Sequence, residues 1–255
     1  MSAAVATLPR RAWVEEVMGI PMSIHLRGTG VDAPEAADAV AAAFASLREM
    51  DRIFSTWRDD SDIMRLRRGE LTIEECHPLV AEALDIGSEA ARITGGAFTT
   101  LLPGDAGDLV LDPTGLIKGW AIERASALLA DLPGISACVN GAGDLAVVAH
   151  EDLPDEGPDA ITWRIGIEDP SDLTRTAEVV TLTRGAVATS GTAARGAHLY
   201  DPAGRRMVGR PGSTSVHGPS LLWADIWATA LFVGGAAARD AFTSRAPAYT
   251  SIELD

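Results

Sequence analysis

The chain has 255 residues, 47% of them hydrophobic and 22% charged, enough for one large core or two fused lobes and close to soluble globular averages. No uninterrupted apolar run reaches the roughly 20 residues of a spanning helix, so no membrane segment is expected. The 36 acidic against 21 basic residues leave a net charge of −15, which disfavours nucleic acid as a partner and favours a metal cation or a basic surface.

In chain order, the opening Met1 to Trp13 places its basic pair, Arg10-Arg11, after the apolar stretch. It does not read as an export signal, and a cytoplasmic protein is expected. Residues 1–12 are expected to lack fixed order, with 13–255 forming a single domain. Met18, Ile20, Met22, Ile24 and Leu26 alternate as in a half-buried strand. Ala36 to Phe54 predicts a helix with Val40, Phe44, Leu47 and Phe54 on one stripe. Pro78 to Thr94 predicts a second, opened by proline and closed by Gly95-Gly96. Lys118 to Leu132 predicts a third, stopped by Pro133-Gly134. Strands Ser136 to Val139 and Leu145 to Ala149 flank the turn Asn140-Gly141-Ala142-Gly143-Asp144. Glu151 to Asp159 reads as an acidic loop, and Trp163, Ile165 and Ile167 as another strand. Val179 to Thr183 and Ala186 to Thr189 predict a hairpin about Arg184-Gly185. Pro219 to Val233 predicts a buried helix ended by Gly234-Gly235. Helices and strands mix without strict alternation, which favours an α+β fold of mixed sheets with packed helices over a doubly wound sheet.

Several residues carry chemical potential. Asp225 and Thr229 are four apart on an otherwise apolar helix and share one face. Two oxygen donors suit Mg²⁺, with Mn²⁺ as the alternative ion; the other reading is an acid near the helix start and a Thr bonding back to a carbonyl. Lys118 is the only lysine. It sits between Gly115 and Gly119 at the expected helix start, where anions gather, and serves either a phosphate or only the surface. The Asn140 to Asp144 turn either cradles a phosphate or ribose or is an ordinary tight turn. His198, three before Asp201, is either a proton carrier or a packed histidine. Cys76 and Cys138 have neither CxxC spacing nor a nearby histidine pair, and read as buried thiols.

Read together, these segments resemble the ApbE family of FAD:protein FMN transferases. The matching pieces are Met18-Gly19; Phe54-Ser55-Thr56-Trp57 with Asp60-Ser61-Asp62-Ile63; Thr94 to Phe98; Asp112 to Trp120; and Val139 to Asp144. They continue with Ala188-Thr189-Ser190-Gly191, His198 to Gly204, and Ala224 to Leu231. The resemblance implies an ApbE-like, T-fold-related arrangement. It implies a Mg²⁺ held by Asp225, Thr229 and the Gly115 carbonyl, and FAD contacts from Asp112 and Lys118. It implies a flavin or adenine pocket lined by Met18, Ser55, Thr56, Trp57 and the Thr99 region. FMN would pass from FAD to a Thr or Ser hydroxyl of an acceptor flavoprotein, releasing AMP. Lys118 would stabilise the developing charge, and His198, oriented by Asp201, would take the proton. The alternatives are an FAD pyrophosphatase making FMN and AMP, and a non-catalytic FAD-binding protein. This chain departs from the family pattern at Thr99 (usually Asp), Arg67 (usually Asn) and Pro113-Thr114 (usually Leu-Gly).

Overall fold

A computed structural model describes residues 8–104, 108–192 and 199–255. Strands β1 (Arg10–Val17) and β2 (Ile20–Gly28) lead into helices α1 (Pro34–Phe54), α2 (Asp62–Arg67) and α3 (Pro78–Ile93). The short strands β3 (Leu101–Pro103) and β4 (Leu109–Leu111) precede α4 (Thr114–Ala127). Then come β5 (Ile135–Gly141), β6 (Asp144–Ala149), β7 (Trp163–Asp169), β8 (Asp172–Leu182) and β9 (Gly185–Gly191). The chain closes with β10 (Leu199–Asp201), β11 (Arg206–Val208), β12 (Ser213–Gly218), α5 (Leu221–Arg245) and β13 (Thr250–Leu254).

Seven strands form one sheet in the order β1-β2-β5-β6-β9-β12-β13, and every neighbouring pair is antiparallel. The period-2 alternation of side chains sorts its residues to two faces. Ala137, Val139, Ala146, Ala188 and Val216 point to a core built with α1, α4 and α5. Cys138, Leu145, Val147 and Val187 point the other way, where Trp163, Ile167 and Val180 of the two-stranded β7–β8 ribbon cover them. The central strands are thus buried on both faces, and the architecture is α+β, as the mixed element order implies.

Four expectations need correction. The first strand does not include Met18: β1 and β2 form a hairpin whose two-residue turn is Met18-Gly19, with φ of 57° and 68°, the pair of positive angles that a tight antiparallel hairpin favours. Order begins before residue 13, because β1 starts at Arg10; its outer face is exposed, with Val14 at 64%, so it carries no clean alternation. Helix α4 starts at Thr114, one turn before Lys118. Asp112 accepts from the Thr114 backbone N–H at 3.0 Å and supports the first turn in spite of two glycines. The expected hairpin about Arg184-Gly185 does not form: β8 pairs with β7, while β9 pairs with β6 and β12. Arg184 donates to the carbonyls of Ala149, His150 and Leu153, anchoring the point where the chain leaves the ribbon for the main sheet. The expected break at Gly234-Gly235 is present: Gly235 is non-helical, and α5 consists of two helical stretches joined there, the second running to Arg245. By length and composition α5 is apolar enough to cross a membrane, yet 61% of the apolar stretch is buried inside the protein, as suits a core helix.

Candidate functional site

Two cavities meet at the start of α4, and both are lined by Thr114 and Lys118. The first, of about 480 Å³, lies among α4, the β5–β6 turn, β9, β12, α5 and the β7–β8 ribbon. The second, of about 600 Å³, lies between the β1–β2 turn, the end of α1 and α4.

Gly115, Asp225 and Thr229 all line the first cavity. Asp225 is only 4% exposed and accepts from the Gly119 backbone N–H at 3.2 Å. A Cβ at Gly119 would fall 2.9 Å from the Asp225 Cβ, so the glycine is what lets α4 approach this carboxylate. One turn on, the Thr229 and Ser190 hydroxyls are hydrogen-bonded at 2.9 Å, tying α5 to β9. Among the described residues no group of three or more His, Cys, Asp or Glu side chains could hold a metal ion. The cavity instead offers a mixed oxygen set of carboxylate, hydroxyl and carbonyl, and the hardness of those donors fits Mg²⁺ or Mn²⁺.

Lys118 forms an ion pair with Asp144, which is 1% exposed. The other Asp144 oxygen accepts from the Thr189 backbone N–H at 3.0 Å. Asp144 therefore fastens three elements, β6, β9 and α4, around one cationic group. Removing the lysine from such a pair would leave the Asp144 charge buried. Asn140 turns its carbonyl to the Gly143 N–H at 3.1 Å and holds the β5–β6 turn, whose Ala142 and Gly143 line the cavity.

Asp112 also lines this cavity, but both of its oxygens are engaged. One accepts from the Thr114 N–H and hydroxyl at 3.0 and 2.5 Å; the other pairs with Arg67 at 2.9 Å. Arg67 donates further to the Leu111 carbonyl at 2.6 Å. This arginine, a departure from the family pattern, braces the start of α4. Thr99 lines the same cavity and accepts from the Leu101 N–H at 3.0 Å. Met18, Ser55, Thr56 and Trp57 come together in the second cavity, with Trp57 96% exposed at its rim. One oxygen of Asp201 accepts from the Gly204 N–H at 2.9 Å. His198 lies outside the described residues.

Sequence reading missed three groups. Ile165 and Ile167 of β7 wall the first cavity, although only their strand character was legible. Ser213 lines it from the first residue of β12, with no sequence signal to mark it. Asp51 lines the second cavity, hidden in an amphipathic helix as an ordinary polar-face acid.

A family model, the ApbE family, matches residues 18–104 and 101–251. No curated protein matches the chain. Among solved structures, the flavin transferase ApbE from Vibrio cholerae is 18% identical with a TM-score of 0.73, over 97% of this chain and 98% of that one. The ApbE protein from Thermotoga maritima is 17% identical with a TM-score of 0.75, over 96% and 94%. The flavinyl transferase ApbE from Pseudomonas stutzeri is 22% identical with a TM-score of 0.76, over 99% and 97%. Likeness at these identities shows a shared fold, the one expected from the resemblance.

Proposed function

Because the chain belongs to the ApbE family, we propose that it is an FAD:protein FMN transferase, moving FMN from FAD to a Ser or Thr hydroxyl of an acceptor flavoprotein. One observation carries the reading: a buried carboxylate, a hydroxyl and the Gly115 backbone share a cavity with a single lysine, and that cavity adjoins a largely apolar one sized for a heterocycle.

Asp225, Thr229 and the Gly115 carbonyl would hold Mg²⁺ or Mn²⁺, and the ion when bound would neutralise the diphosphate and polarise it. Lys118, kept in place by Asp144, sets a fixed positive charge beside the diphosphate, where charge develops as the bond breaks. The acceptor oxygen forms a bond to the FMN phosphorus. The bond from that phosphorus to the bridging oxygen breaks, and AMP leaves with the oxygen. The hydroxyl proton passes to His198, a role assigned from sequence alone. Asp201, one oxygen of which accepts from the Gly204 N–H, would orient that imidazole with its carboxylate. Positioning and charge neutralisation supply most of the rate in such phosphoryl transfer.

The test incubates the protein with FAD, Mg²⁺ and flavoprotein acceptor domains that carry Ser or Thr in a small-residue loop. Covalent flavin fluorescence on a denaturing gel, together with AMP release, is the expected result. The Asp225→Ala variant should lose about 100-fold or more in rate while melting cooperatively, and chelation of divalent ions should abolish transfer by the unaltered protein. AMP release that is equal with and without acceptor, with no labelled protein, would establish hydrolysis instead. FAD binding with no AMP under any condition would leave a binding protein.

A further inference from the structure

The second cavity has soft, flat-sided walls. Met18, Met50, Phe54 and Ile117 line it, and thioethers and aromatic edges pack well against a planar ring. Only two charged side chains reach it, Lys118 and Asp51. Lys118 is paired with Asp144. Asp51 is different. It sits in the last turn of α1, half-buried, and its backbone carbonyl accepts from Ser55. Its carboxylate makes no hydrogen bond or ion pair among the described residues. Burial pushes its pKa above the usual carboxylate range, and the Arg58 charge only partly opposes this. A carboxylate that is desolvated but left without a donor costs stability, and such groups in clefts mark recognition or catalysis.

We propose that Asp51 is a specificity-determining residue whose carboxylate accepts an N–H from the edge of a planar heterocycle seated between Met18, Met50 and Phe54. The proposal rests on the FAD reading above and deepens it. FAD has two heterocycles with such an edge, the exocyclic amine of adenine and the imide N–H of the flavin. Both present the same chemistry to a carboxylate, and the experiment separates them.

Three ligands are titrated calorimetrically against the full chain and its Asp51→Ala and Asp51→Asn variants: FAD, the FAD analogue with hypoxanthine in place of adenine, and FAD methylated at the flavin imide nitrogen. In the unaltered protein one analogue should bind about 10-fold more weakly than FAD, the range for a lost hydrogen bond to a charged group. Asp51→Ala should weaken FAD by a similar factor and erase discrimination against that same analogue. Asp51→Asn, which keeps an acceptor oxygen, should recover part of the affinity. The analogue that loses its penalty names the ring read by Asp51. FAD affinity in both variants within twofold of the unaltered protein, or undiminished discrimination, would overturn the assignment. Failure of the unaltered protein to bind FAD at all would overturn the functional reading instead, so the two failures are distinct.

Discussion

At the scale of single residues, the site depends on how closely α4 approaches Asp225, and two glycines of the same helix test this differently. An alanine at Gly119 would place its Cβ 2.9 Å from the Asp225 Cβ and 3.1 Å from the Leu221 carbonyl, contacts that force the helices apart. An alanine at Gly115 would meet only the Phe98 ring, at 3.6 Å. Helix propensity favours both replacements by about 1 kcal/mol, but overpacking costs about 1–3 kcal/mol and applies only at Gly119. Gly119→Ala should therefore lower the melting temperature while Gly115→Ala leaves it unchanged or raises it, as read by calorimetry; equal shifts in the two variants would refute the packing argument. Residue identity was legible where composition was odd. Lys118 stood out as the only lysine, and Asp225 as a carboxylate in an apolar helix. The partnerships were not legible. Nothing local to Arg67 announces that it pairs with Asp112, because that contact is made by chain folding back and not by spacing.

At the scale of elements, the kink in α5 divides the part that carries Asp225 and Thr229 from the part that leads to β13. Gly235 adopts φ 58° and ψ −143°, a conformation largely closed to residues with a Cβ. A Cβ there meets nothing within 4 Å, so Gly235→Ala should destabilise by about 1–3 kcal/mol through backbone conformation alone. Denaturant titration with an unchanged m-value would confirm that origin, and a stabilised variant would show that the helix can run straight. The same kink explains why the paired glycines read as a stop: composition marks a break in helical geometry, but packing decides whether the chain ends there or bends. Helices α1 and α3 were legible almost to the residue, since each buries one amphipathic stripe. Strand β1 was not, because an exposed edge strand lacks the alternation that marks a strand. The false hairpin about Gly185 had local turn chemistry in its favour, but the strand partners lie far apart in sequence, and burial of Val187 under the ribbon outweighs a local pairing.

At the scale of the whole molecule, two effects of pH oppose each other. The net charge of −15 weakens as pH falls toward the sequence pI of about 4.7, which relieves self-repulsion and favours the compact state. Against this, His25 on β2 and His217 on β12 both have pKa values lowered by burial, His25 also by Arg27. A histidine whose folded pKa is depressed takes up its proton more readily when unfolded. Its contribution to stability is fully present above the unfolded pKa of about 6.5 and is lost as pH falls from there toward the folded value. The charge relief is common to any variant that keeps the carboxylates, so a double variant, His25→Gln with His217→Gln, isolates the histidine part. The melting curves of the two proteins should run parallel in pH above about 6.5, and the unaltered protein should lose stability relative to the variant below it. A constant difference from pH 8 to pH 5 would mean that these two imidazoles are protonated as easily in the folded chain as in the unfolded one, and the acid limit of the fold would then lie with its carboxylate pairs, such as Arg239–Glu253, where the arginine holds the glutamate pKa down.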